Sequence, residues 1–85
     1  MDKSIFTQDY TLFLSLLRGT RKKAGLTQEQ VAHRLQQTQS FVSKCERGER
    51  RIDVIELYAF CDAIGISFTE FSQQLHELIQ QEERV

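Results

Sequence analysis

The segment from Gln39 to Arg47 separates polar from apolar side chains when it is drawn as a helix. The polar side gathers amide, hydroxyl and cationic groups and no carboxylate: Gln39, Ser40, Ser43, Lys44 and Arg47. A solvated helix face usually mixes glutamate with lysine, whereas these groups are the types that hydrogen-bond base edges and phosphates in a major groove. Phe41 lies at the boundary, where it would either touch a thymine methyl group or pack against the turn and the second helix. The segment is therefore a candidate for recognising nucleic acid.

Charge is distributed unevenly along the chain, although the formal total is only −1. Residues 18–51 carry nine lysines and arginines against three glutamates, a local net charge of +6, while the remainder carries −7. A basic stretch of this kind is typical of a surface that binds a polyanion. By charge alone, an ordinary solvated face would explain the same pattern.

Helices separated by glycine stops are indicated by the absence of proline and by glycines at positions 25, 48 and 65. The sequence predicts an all-α chain of five helices over about residues 8–24, 28–35, 39–47, 54–64 and 68–82. Two of the starts carry capping boxes, Thr27 with Gln30 and Asp53 with Glu56. Thr38 is the expected cap of the third helix, which leaves about three residues for the turn that joins helices two and three.

Length and composition predict a single domain over residues 1–85. No apolar stretch is long enough to cross a bilayer, and Cys45 and Cys61 are the only cysteines, so we expect reduced thiols in a cytoplasmic protein. The sequence contains no C-x-x-C or C-x-x-H spacing and no recognisable catalytic order of serine, histidine and aspartate. We therefore expect no metal site, no cofactor, no membrane partner and no enzymatic activity.

Two stretches of the sequence resemble the XRE, or Cro/repressor, type of helix-turn-helix DNA-binding domain. They are L-R-G-T-R-K-K-A-G-L-T-Q-E-Q-V-A-H-R-L from Leu17 and Q-S-F-V-S-K-C-E-R-G-E-R-R-I-D-V-I-E-L from Gln39. With the C-D-A-I-G stretch at Cys61, the resemblance covers about residues 17–66. It implies a five-helix lambda-repressor-like domain, here with extended first and last helices. Residues 67–85 would form a C-terminal helix available for dimerisation.

The resemblance implies three sets of site residues. Arg21 and Glu46 match the family's ion pair, which fixes the third helix. The positions that read bases match Gln39, Ser40, Ser43 and Lys44. Phosphate contacts would come from the start of helix two and from the arginines around Gly48: Thr27, Gln28, Arg47, Arg50 and Arg51. In this arrangement Thr27 caps its helix while Gln28 reaches outward to the DNA backbone.

We therefore expect a sequence-specific regulator of transcription that binds double-stranded DNA, and a repressor rather than an activator. The first and last helices carry more apolar surface than a single neighbouring helix would cover. We expect two contacts to cover it: helix five folds back onto helix one within the chain, and helix five together with the exposed Ile55, Tyr58 and Phe68 meets a second subunit. A two-fold homodimer would place its recognition helices about 34 Å apart on a pseudo-palindromic operator. Two alternatives stay open: an antitoxin-type adaptor that holds a protein partner through the C-terminal helix, and the controller protein of a restriction-modification system.

Overall fold

Five α-helices make up the regular structure of residues 3–83, the part of the chain that this computed structural model describes. They are α1 (Lys3–Lys23), α2 (Gln28–Leu35), α3 (Gln39–Glu46), α4 (Val54–Ile64) and α5 (Phe68–Glu83). The prediction of an all-α, five-helix chain is confirmed. Side chains are described for residues 7–82, and the outermost residues of the predicted domain, 1–2 and 84–85, lie outside the described part.

Local capping signals set the starts of the middle helices. The Thr27 hydroxyl accepts a bond of 3.1 Å from the Gln30 N–H, and the Gln30 side chain accepts one of 2.9 Å from the Thr27 N–H. Asp53 and Glu56 form the same reciprocal pair at 2.8 and 2.9 Å. The Thr38 hydroxyl accepts a single bond of 3.1 Å at the start of α3. Each predicted cap therefore satisfies an amide that the helix itself leaves without a partner.

The start of α1 and the ends of α1, α3 and α5 differ from the sequence prediction, the three ends by one residue each. Helix α1 begins at Lys3 rather than near Gln8, because neither glycine nor proline interrupts the residues between them. Helix α3 ends at Glu46, with Arg47 as its C-cap. The reason is Gly48, whose left-handed φ of 81° turns the chain away from the helix one residue later.

The core forms where the five helices converge. Its largest fully buried side chains are Leu17, Val31, Val42, Cys45, Phe60, Cys61 and Phe71. Burial raises the pKa of the Cys45 thiol and raises that of Cys61 to about 11, so both thiols are protonated at neutral pH. Both cysteines are free and buried, and they pack as small apolar residues.

Helix α5 packs against α1 and α4 within the same chain. Phe71 is 0% exposed, and its ring meets the ring of Phe13 edge to face, with centroids 6.0 Å apart. Near the far end of the contact, the Gln8 side chain donates a bond of 3.0 Å to Glu82. Of the two predicted contacts, the structure therefore shows the fold-back of α5 onto α1 within the chain, and it leaves part of α4 uncovered.

Within residues 3–83, no helix combines the length and the hydropathy that a membrane span needs. The same described region holds no group of three or more histidine, cysteine, aspartate or glutamate residues placed to bind a metal ion.

Gly48 is the glycine whose replacement should strain the fold most. Its φ is +81°, and a Cβ built there would lie 3.1 Å from Cδ1 of Leu14 on α1. We expect Gly48→Ala to lower the free energy of unfolding by about 1–3 kcal/mol. Gly25→Ala is the matched control, since Gly25 also has a positive φ, of 77°, but no atom within 4 Å of the added carbon. Urea unfolding measures both variants. Equal losses in the free energy of unfolding would contradict a close contact between residue 48 and Leu14.

Candidate nucleic-acid interface

The polar side of α3 faces outward. Gln39, Ser40 and Lys44 are exposed and Ser43 is half-buried on the same side, while the underlying Val42 and Cys45 are 0% exposed. The four predicted base-reading residues therefore lie together on one accessible surface. A helix with its side chains is about 10–12 Å across, which matches a major groove about 12 Å wide.

A three-residue turn, residues 36–38, connects α2 to α3. It reverses direction through Gln36, which adopts the left-handed region with φ 58° and ψ 41°. The Gln37 N–H then donates to the Ala32 carbonyl at 2.9 Å. Glycine or asparagine usually occupies such a position, so no residue type marked this feature in the sequence. The turn length agrees with the predicted one and sets α3 against α2.

The structure brings Arg21 and Glu46 together beneath the interface. Arg21 Nε donates to Glu46 Oε2 at 2.6 Å and Nη2 donates to Oε1 at 3.0 Å, a bidentate pair with the two side chains 8% and 3% exposed. Arg21 Nη1 also donates to the Leu26 carbonyl at 2.9 Å. The pair ties the last residue of α3 to α1 and to the turn before α2, and therefore fixes the position of α3.

Gln28 connects this ion pair to the exposed surface. Its side-chain N–H donates to Glu46 Oε1 at 3.0 Å, and its carbonyl oxygen accepts from Gln39 Nε2 at the same distance. The Gln28 side chain is thus half-buried against α3, rather than directed outward as the family resemblance implies. Thr27 uses its hydroxyl for capping. Through Gln28, the orientation of the predicted base reader Gln39 depends on the buried carboxylate of Glu46, which lies 18 residues after Gln28.

Two of the predicted phosphate-contacting arginines are paired with carboxylates. Arg47 makes a two-point contact with Glu49, at 2.8 and 3.2 Å, and also donates to the Ser43 hydroxyl. Arg50 makes a two-point contact with Glu56, at 3.0 and 2.7 Å. These guanidinium groups hold the pKa values of Glu49 and Glu56 below their usual range. Part of the positive charge counted in the sequence is therefore compensated at the surface itself.

Arg51 is held by an aromatic ring on α1. Its guanidinium lies over the Tyr10 ring, 4.4 Å from the centroid. The Tyr10 hydroxyl accepts a bond of 3.1 Å from the Ile52 N–H. Tyr10 therefore anchors the loop between α3 and α4, and with it the arginine, although it lies more than 40 positions earlier and no local pattern in the sequence marks it.

Phe41 packs inward from the edge of the polar surface. Its ring stacks on that of Phe60 in α4, with centroids 6.3 Å apart and an angle of 16° between planes. The Arg50 guanidinium also lies over the Phe41 ring, 4.8 Å from its centroid. Of the two roles that the sequence leaves open, the structure shows the packing role, with Phe60 of α4 as one partner.

Comparisons with known proteins agree with this architecture. The family model described as Helix-turn-helix matches residues 17–71. A solved structure, the XRE-family like protein from Pseudomonas syringae pv. tomato, aligns with a TM-score of 0.85 and 43% identity, over 89% of this chain and 93% of that chain. The "Uncharacterized HTH-type transcriptional regulator y4dJ" of Sinorhizobium fredii is 44% identical over 50 residues. That stretch is 59% of this chain and spans 65% of the relative's length.

The similarity extends well beyond the two central helices. The family match includes Phe71 of α5, and the structural match covers nearly the whole of both chains. The outward side of α3, the buried ion pair below it and these matches lead to one assignment. The chain belongs to the XRE-type helix-turn-helix family of DNA-binding transcriptional regulators, which is not a class of enzymes.

Proposed function

We propose that this protein is a sequence-specific DNA-binding regulator of transcription that places α3 in the major groove of its operator. The observation that carries the proposal is the outward side of α3, whose four predicted base readers bear no carboxylate. Val42 and Cys45 hold this side outward because they are fully buried in the core beneath it. The geometry is that of a helix-turn-helix unit, in which the second helix contacts base edges.

Gln39 and Lys44 are the proposed principal base readers. A glutamine amide makes two bonds to adenine, and a lysine ammonium donates to guanine. Both side chains are exposed, and the bond from Gln39 to Gln28 leaves the Gln39 carbonyl oxygen available as an acceptor. Ser40 and Ser43 complete the surface, where their hydroxyls address either a base or a phosphate.

Phosphate contacts are proposed for the two ends of this surface. At one end lie the Thr27 hydroxyl and the Gln28 backbone N–H, at the start of α2, which favours an anion. The Gln28 side chain and the Thr27 N–H are already bonded within the protein. At the other end lie Arg47, Arg50 and Arg51, all of them exposed. Arg47 can contact a phosphate only when it leaves Glu49. Each arginine that neutralises a phosphate contributes to affinity without reading sequence, and adds about 0.9 to the slope of log K against log salt concentration.

A second copy of the chain is the proposed partner of the uncovered side of α4. Val54, Ile55 and Tyr58 are 61%, 74% and 61% exposed, and the Tyr58 ring contacts that of Phe68 at 5.9 Å. Helix α4 carries no lysine or arginine, so this side favours protein over DNA. A two-fold dimer through it would present two α3 helices about 34 Å apart to a pseudo-palindromic operator.

Repression is the proposed outcome, because occupying an operator near a promoter requires only the DNA-binding surface. Such a regulator would act in the cytoplasm, where the bacterial chromosome lies.

Selection of bound sites from randomised duplex DNA tests the proposal. We expect one enriched half-site, repeated in inverted orientation with centres about 10 base pairs apart. Sedimentation of the free protein at tens of micromolar should show a dimer. Failure to enrich any sequence would contradict specific DNA binding, whereas enrichment of a single half-site by a protein that sediments as a monomer would contradict only the dimer.

A further inference from the structure

We propose that Glu49 is a specificity-determining residue, which restrains Arg47 so that phosphate attraction does not overwhelm base reading by α3. The inference rests on the proposed function. It concerns a carboxylate that stands at the end of a surface otherwise made of amides, hydroxyls and cations.

The backbone fixes Glu49 next to the last turn of α3. After the C-cap Arg47, the Gly48 N–H donates to the Cys45 carbonyl at 3.1 Å and the Glu49 N–H donates to the Lys44 carbonyl at 2.9 Å. These two bonds form a Schellman motif, which turns the chain back over the helix end. Glu49 therefore has a defined position relative to α3.

The side chain of Glu49 uses that position to hold Arg47. The two-point contact, at 2.8 and 3.2 Å, leaves Arg47 Nη1 directed to the Ser43 hydroxyl, within the base-reading surface. The hydrogen bonds and the charge of Arg47 lower the pKa of the Glu49 carboxyl group, and the charge of Lys44 lowers it further. Glu49 is therefore ionised at neutral pH, and two cations of the interface act on its charge.

The consequence differs between matched and unmatched DNA. On a matched operator, base contacts hold α3 in the groove, and Arg47 can keep its bonds to Ser43 and Glu49. On unmatched DNA, the affinity comes from phosphate contacts alone. Arg47 must break its contact with Glu49 before it can bind a phosphate. A carboxylate at this point therefore weakens non-specific binding more than specific binding.

The test compares Glu49→Gln with the wild-type protein by fluorescence anisotropy, on a selected operator and on a scrambled duplex, at several salt concentrations. We expect the variant to bind the scrambled duplex about three- to tenfold more tightly, with a salt slope steeper by about 0.9, and the operator with a smaller gain. The ratio of the two affinities should fall. Adding Arg47→Ala to the variant should abolish the gain on the scrambled duplex.

Glu77→Gln is the matched control for net charge, because Glu77 lies on α5 and its carboxylate bonds Gln73 rather than a residue of α3. An equal effect of Glu77→Gln, an equal gain on both duplexes, or no change for Glu49→Gln would overturn the inference while leaving DNA binding intact. Weaker operator binding by Glu49→Gln would overturn it too, because Glu49 would then be a base reader itself. Absence of wild-type binding to every duplex would overturn the proposed function and this inference with it.

Discussion

Glu46→Ala should lower the free energy of unfolding by about 3–5 kcal/mol, as expected when one partner of a buried ion pair is removed. Glu46 is 3% exposed and accepts three hydrogen bonds, two from Arg21 and one from Gln28. Without it, the Arg21 guanidinium remains buried with an uncompensated charge. Urea unfolding followed by circular dichroism measures the loss.

Two further variants separate the buried charge from other effects. Glu77→Ala, on the exposed surface of α5, should leave the unfolding midpoint nearly unchanged. The double variant Arg21→Met/Glu46→Leu should recover much of the stability, because apolar residues of similar volume often replace a buried pair at little cost. A loss below about 1 kcal/mol for Glu46→Ala would mean that the pair behaves like an exposed one.

Phe71→Ala should also destabilise the protein strongly, by about 3–5 kcal/mol. Phe71 is fully buried, and its ring packs edge to face on Phe13 of α1. For a chain of this size such a loss is a large part of the total stability. The measurement is again urea unfolding, now with Leu78→Ala as the control on the same helix.

Leu78 is half-buried, so its truncation should cost less than half as much as that of Phe71. The comparison decides whether α5 is part of the core or an appended dimerisation helix. Equal, small losses for both variants would contradict the fold-back of α5 onto α1. A large loss for Phe71 alone agrees with the family match, which extends to residue 71.

Features carried by neighbouring residues could be predicted from the sequence. The capping boxes at Thr27 and Asp53 operate over three residues, and both form as predicted. The outward side of α3 follows from helical periodicity over a single segment. Its buried side follows too, because Val42 and Cys45 lie on the apolar arc of that segment and are fully buried.

Features that depend on distant residues could not be predicted in the same way. Nothing near Gln28 in the sequence indicates that Glu46 and Gln39 will both bond its side chain. The anchoring of the loop at Ile52 by Tyr10 depends on how α1 meets that loop. The packing of Phe41 on Phe60 likewise requires the position of α4.

The charge pattern of the sequence predicts the sign of the charge on this surface, but not which of its charged side chains form ion pairs. The count of nine basic and three acidic residues covers only residues 18–51. It does not include Glu56, which lies just beyond this segment and binds Arg50. Glu49 lies inside the segment, but periodicity over α3 alone does not include it. The carboxylate of Glu49 stands at the end of the surface, beyond the residues that the helical pattern of α3 includes.

The central claim is that the outward side of α3 reads bases, and Lys44→Ala tests it most directly against a set of operators substituted one base pair at a time. Arg51→Ala serves as the phosphate control and should weaken every duplex alike, with a salt slope reduced by about one unit. For Lys44→Ala we expect a loss of about 1–3 kcal/mol on the intact operator and a loss of preference at one base pair. Uniform weakening of all duplexes by Lys44→Ala, with every base preference retained, would contradict the claim.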